Sequence, residues 1–380
     1  MARRQAGRPA LLIVLALSSL AGLLPATGCD PAGGSKDDRA GTVRLAMPAD
    51  PATLSFSRAH DFWSLVFTEL IGDALVGLDA SLEPVPRIAT QWTWSEDHRQ
   101  LTFELRRDAS WHDGKPVTSA DVVHTWKVLT DPTHGNSAWS AAMSAASRVS
   151  APDRWTVVVD YDEPFAPALG SWCVPLIPAH RPLDDPQLVG CGPWRFESWD
   201  RGARIVLEAN TEHYAAPRLR RLVFEIIPDR TTRYQALKTG ELDMTGLTPE
   251  QVRAFRKEED LQRRLAITQY RILYFFFVAW KDDGPGGLFH DPRVRRAMTM
   301  AIDREELTRL FDDLCETGAT AFHPDGWAFD QTVEPWPYDP KRARTLLAEA
   351  GWHDSDGDGV LDRDGKAFRF RLMYALGSAE

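Results

Sequence analysis

Along residues 101–106 the chain alternates Leu101, Phe103 and Leu105 with Thr102, Glu104 and Arg106. A period of two places one set of side chains on each face, so this run is a half-buried strand. The following His112-Asp113-Gly114-Lys115-Pro116 is a turn: Asp-Gly supplies a tight reversal and Pro116 cannot pair in a ladder. Thr118 then caps a helix with Asp121 three residues on, and Val122, Trp126 and Leu129 fall on one face. His112 and Asp113 are read as turn and surface residues. Later, Asp291 and Pro292 open a helix with Val294, Ala297, Met298, Ala301 and Ile302 at helical spacing, and Asp303 with Glu306 opens another. Asp339 and Pro340 repeat the scheme with Ala343, Leu346, Leu347 and Ala350, ended by Gly351. Residues 203–209 and 221–229 are rich in branched residues and predict strands, and 368–374, FRFRLMY, alternates as another. Helices and strands mix without a fixed repeat, which is an α/β architecture in several lobes.

The first 30 residues are patterned differently. Arg3, Arg4 and Arg8 precede a nearly uncharged apolar run over 10–24, and small residues lead to Cys29. This is an export signal, residues 1–28, rather than a membrane-spanning helix, which needs about 20 apolar residues. Ala-Thr-Gly before Cys29 resembles a lipobox, although Ala26 stands where Leu is usual, so Cys29 is expected to carry lipid and anchor the chain to the membrane. Residues 29–41 form a flexible tether. Asp30 resembles the signal that keeps some lipoproteins on the periplasmic side of the cytoplasmic membrane.

Composition narrows the partners. The 380 residues exceed one ordinary domain, and 44 basic against 54 acidic residues give a net charge of -10, spread along the chain, which argues against nucleic acid. Beyond Cys29 only Cys173, Cys191 and Cys315 remain, without CxxC spacing. Cys173 and Cys191 are either a short-loop disulfide or buried thiols. No GxSxG, HExxH, Walker loop or strand-following GxGxxG occurs, so neither catalysis nor a cofactor is expected. Asp354, Asp356, Asp358 and Asp362 occupy four places of a calcium loop, yet Gly365 stands where a bidentate Glu is needed. A structural Asp-Gly turn is the stronger reading.

Five blocks in order carry a resemblance. Residues 101–123, LTFELRRDASWHDGKPVTSADVV, resemble the signature of family 5 extracellular solute-binding proteins, the peptide, oligopeptide and nickel receptors of ABC importers. Residues 49–92 resemble that family's opening, GCGPWRFESWDRGARIVLEANTEHY its central block, RYQALKTGELDM its helix-Gly-strand step, and DPRVRRAMTMAIDREEL its late helix pair.

The resemblance implies a periplasmic binding protein type II-like fold, two large lobes around a ligand cleft with an inserted subdomain. Lobe I would take residues 42–60 and 186–266, lobe II 61–185, and lobe III 267–380. Family members continue past this point, so an incomplete last lobe is expected. A peptide or other small solute would be captured between lobes and handed to ABC permease subunits, with no covalent chemistry. Cleft-edge candidates are His60, Asp61, Phe62 and Trp63. Cys191, Gly192 and Trp194 stand in a block where the family usually has Gly-Thr-Gly-Pro-Tyr, and Phe277 precedes Val278, where Asn is common. Loss of a hydroxyl and an amide would make the pocket more apolar. Each aromatic could equally be core. Nickel or heme binding, a sensory or structural lipoprotein, and a hydrolase using Cys191 are the competing readings.

Overall fold

The computed structural model describes residues 8–9, 40–79, 82–134, 139–183, 187–267, 270–271, 287–311, 314–320 and 329–371. The chain divides into two compact units, residues 1–247 with 260–270, and residues 248–259 with 271–380. Among the described residues, no helix is long and apolar enough to cross a membrane.

The first unit holds two four-stranded sheets. One has the order β1 (Thr42–Met47), β10 (Arg221–Ile226), β9 (Arg204–Ala209), β8 (Trp194–Asp200), with β1 parallel to β10 and the other pairs antiparallel. The other is antiparallel, β4 (Ala89–Trp94), β5 (Gln100–Leu105), β7 (Thr156–Asp160), β6 (Arg148–Asp153). Small strands β2 (Val76–Leu78) and β3 (Pro84–Pro86) pair beside them. The expected period-two strand is β5, with Leu101, Phe103 and Leu105 all at most 5% exposed. Strands β9 and β10 likewise fall within their predicted runs.

Helix α1 (Phe62–Ile71) packs Val66, Phe67, Leu70 and Ile71 into the same core, where Phe67 meets Phe224 of β10 edge-to-face. Helix α2 (Ser119–Thr130) starts at the expected cap: Thr118 N–H and Oγ1–H both donate to Asp121, whose second oxygen accepts from Ala179 N–H. Val122 and Leu129 are buried, while Trp126 lies half-buried and donates its indole N–H to Met143 O. Short helices α3 (Ser140–Met143) and α4 (Ala168–Ser171) and helix α5 (Arg230–Thr239) complete the set. Helices α6 (Pro249–Phe255) and α7 (Glu259–Arg264) follow.

In the second unit α8 (Pro292–Met300) and α10 (Pro340–Glu349) pack together, each capped by the expected Asp and opened by the expected Pro. The buried stripe of α8 is Val294, Ala297 and Met300, not the run through Met298, Ala301 and Ile302, because the helix ends at Met300 and leaves Ile302 44% exposed. Helix α9 (Arg304–Leu310), capped by Asp303, buries none of its residues. A second correction concerns 368–374. Residues 368–371 form no strand: the short hairpin β11 (Asp362–Arg363) and β12 (Lys366–Ala367) ends first, and Phe368 turns edge-on to Trp352. The remainder of that run lies outside the described residues.

Candidate functional site

Three of the sequence blocks converge where α1 ends. Gly72 lies between the helix and the loop of Gly190, Cys191 and Gly192, and Gly192 N–H donates to Ile71 O at 2.8 Å. A Cβ on Gly192 would stand 2.2 Å from Gly72 O, and one on Gly190 would stand 2.0 Å from Ile71 O. Both positions require glycine for backbone approach alone. Cys191 is 1% exposed with its Sγ 3.9 Å from Asp73 O, and burial pushes its thiol pKa well up. Trp194 is 1% exposed, and its indole N–H meets no acceptor among the described residues. Cys173 is half-buried and Cys191 buried, both free thiols. Burial also drives the Cys173 thiol up, to about 12.

His112 holds the same loop. Its Nδ1 accepts from Gly190 N–H at 3.3 Å, so the ring proton sits on Nε2, which donates to Gly192 O at 3.0 Å. Burial takes this imidazole down to about 4; the Gly192 carbonyl and Asp113 oppose the shift and Arg195 and His213 reinforce it. The expected surface position of His112 is thus corrected, because both ring nitrogens are spent on backbone. Arg195 closes the joint, donating to His112 O, to Asn210 Oδ1 and to Glu212. Asn210, 1% exposed, returns Nδ2–H to Gly192 O. Asp113 keeps its expected place in the turn, where it meets His180 at 2.7 Å, and Gly114 takes φ +86°.

Beneath the loop lies a buried charge. Asp73 Oδ1 accepts from Arg87 Nε at 2.7 Å and from Ala74 N–H, and Oδ2 accepts from Tyr214 OH at 2.6 Å and His213 Nε2 at 3.1 Å. Burial alone would raise this carboxyl, but Arg87, His213 and Tyr214 hold it at about 2. The Tyr214 ring also stacks under the Arg106 guanidinium, 3.1 Å from its centroid. Glu69, one turn earlier on α1, is half-buried, and burial against the opposing pull of Arg87 carries it up to about 8. These polar residues escaped the sequence reading. Their trace is an Asp inside the apolar run LIGDALVG and a His-Tyr pair closing the central block.

The cleft-edge candidates separate from that joint. Asp61 caps α1, accepting from Ser64 N–H and also from Ala52 N–H, and so ties the preceding loop to the helix. Trp63 is half-buried, 6.3 Å from Phe224. Phe62 stands 48% exposed, edge-on to Trp63, and exposed His60 pairs its Nδ1 with Arg58 O. Of the eight candidates, His60, Phe62 and Trp63 gather at one accessible helix start, whereas Cys191, Gly192 and Trp194 form part of the buried joint. Phe277 and Cys29 lie outside the described residues.

In the second unit, carboxylates of Asp354, Asp356 and Asp358 lie within 4.8 Å of one another, all exposed. Asp354 accepts from Gly357 and Gly359 N–H, and both glycines have positive φ, as an Asp-Gly turn requires. Asp362 faces Ser355 instead.

The sequence profile of bacterial extracellular solute-binding proteins, family 5 middle region, matches residues 83–379. The chain belongs to this family. Protein XP55 of Streptomyces lividans is 29% identical over 93% of the chain, and the oligopeptide-binding protein AppA of Bacillus subtilis 26% identical over 97%. The chain spans 65% and 70% of the lengths of these two relatives. NikZ of Campylobacter jejuni, solved with Ni(L-His), superposes with TM-score 0.68 at 22% identity, over 86% of this chain and 66% of that one. The fold is that of the type II periplasmic binding proteins of family 5.

Proposed function

We propose that this family 5 protein is the solute-capturing lipoprotein of an ABC importer, taking peptides between its lobes and passing them to a membrane permease while a separate subunit uses ATP. The family match across 83–379 carries the reading. The oligopeptide-binding relative that aligns over nearly the whole chain favours peptides. Lobe I (42–60 and 186–266), lobe II (61–185) and lobe III (267–380) close on the ligand, and lipid on Cys29 holds the protein on the periplasmic side of the cytoplasmic membrane.

His60, Phe62 and Trp63 are the contact residues in this proposal, because they combine accessibility with aromatic surface at a fixed helix start. Asp61 fixes that start, and the Cys191 loop acts from behind by holding α1. Backbone pairing with an extended peptide would supply affinity without demanding particular side chains.

Thermal melting of the chain against di-, tri- and nonapeptides, with nickel-histidine as a competing class, tests this. A bound ligand at about 100 times its Kd adds about 2.7 kcal/mol of stability. A melting shift with peptides that Phe62→Ala abolishes is the expected result. A shift with nickel-histidine alone would replace the peptide assignment, and no shift with any of them would overturn the capture reading for this chain.

A further inference from the structure

An open concavity of about 800 Å³ lies in the first unit, where the β5 end meets the β6–β7 hairpin, lined by Glu104 to Asp108 and Asp153 to Thr156 with Thr90. Three guanidiniums and three carboxylates face it, and their hydrogen-bonding capacity is spent unequally. Glu104 accepts from Gln91 Nε2 at 2.6 Å. Asp108 accepts from Arg106 Nε at 2.7 Å, and Asp153 accepts from Trp155 N–H at 2.7 Å. All three carboxylates are engaged. Arg106 is engaged as well, through Asp108, Arg87 O and the Tyr214 ring. Arg107 and Arg154 are exposed and form no ion pair within 4 Å among the described residues, although the Arg107 charge acts on Asp153 and the Arg154 guanidinium lies over the Trp155 ring, 5.1 Å from its centroid. Charge in the concavity is balanced, three guanidiniums against three carboxylates, and what remains unspent is N–H donor capacity on Arg107 and Arg154.

We infer that this concavity binds a small polyanionic solute, its carboxylate or phosphoryl oxygens taken by Arg107 and Arg154. A guanidinium offers a planar pair of N–H donors that fits either oxyanion. The volume falls within the range of small-molecule sites. Leu105, 5% exposed, closes the floor. This assignment does not rest on peptide capture.

Isothermal titration of the chain with citrate and, separately, inorganic phosphate tests the assignment. Saturable millimolar binding is expected, weakened about fivefold by Arg107→Ala and by Arg154→Ala, as for partly exposed charge pairs, and weakened by added salt. Arg148→Ala, at the opposite end of β6 and paired with Asp160, is expected to leave binding unchanged. Citrate binding alone assigns a polycarboxylate, and phosphate binding alone a phosphorylated solute. Absence of saturable binding by either anion, or full binding by the Arg107→Ala/Arg154→Ala chain with an unchanged melting curve, would overturn it.

Discussion

Gly192→Ala is the substitution that most directly separates a scaffold loop from a ligand loop. The new Cβ would lie 2.2 Å from Gly72 O and 2.8 Å from Ile71 C, both backbone atoms. An ordinary carbon-oxygen contact needs about 1 Å more, so either α1 or the loop must move as a body. Neither moves freely: Gly192 N–H is bonded to Ile71 O, Gly192 O takes His112 and Asn210, and Ile71 is fully buried. Overpacking of a core costs about 1 to 3 kcal/mol when side chains can shift, so a backbone against a backbone should cost about 3 kcal/mol or more. Gly114→Ala is the internal comparison. Gly114 has φ +86° but nothing within 4 Å of its added Cβ, so its cost is the left-handed strain alone, about 1 kcal/mol. Urea unfolding followed by tryptophan fluorescence reads both. A Gly192→Ala chain no less stable than Gly114→Ala would refute the argument that close approach, not ligand contact, fixes this glycine.

Asp73→Ala should cost about 3 kcal/mol, because it strands a half-buried Arg87 guanidinium; Arg87→Met added to it should restore part of the loss, and strict additivity in urea unfolding would sink the idea. His112 should titrate by NMR near pH 4 with its proton on Nε2, against about 6.5 when unfolded. Since the unfolded chain binds the proton first as pH falls, stability should drop between about 6.5 and about 4, by at most about 3 kcal/mol, and His112→Gln should flatten that slope. An imidazole titrating near its ordinary value would contradict the clasp.

How much of this was legible depends on range. Period-two and helical spacing located β5, α2 and α10, because each element's apolar face is written within its own segment. Caps such as Asp121 and Asp339 were readable for the same reason: the acceptor lies three residues from the donor. The Asp73 centre was not. Its partners Arg87, His213 and Tyr214 lie 14, 140 and 141 positions away, and no local pattern encodes a bond across that distance. The same limit left the reading of Cys191 and Trp194 open between cleft and core, since a departure from a family motif marks a changed position without saying whether it faces solute or core.

That distinction reorganises what the family blocks mean in this chain. His112 comes from one block, Asp73 and Arg87 from the opening block, and Gly192, Arg195, Asn210, His213 and Tyr214 from the central one, and all meet at the end of α1. Each is held by backbone approach, by a saturated amide or by a buried charge, constraints independent of what the protein binds. A scaffold fixed in this way leaves solute recognition to other positions, because the residues at this joint spend their hydrogen bonds on one another. On the proposed capture reading, solute choice then falls to positions outside this joint. Among the described residues of the first unit those include the exposed faces of His60 and Phe62, which is why replacing Phe62 should change ligand response while replacing Gly192 should change folding.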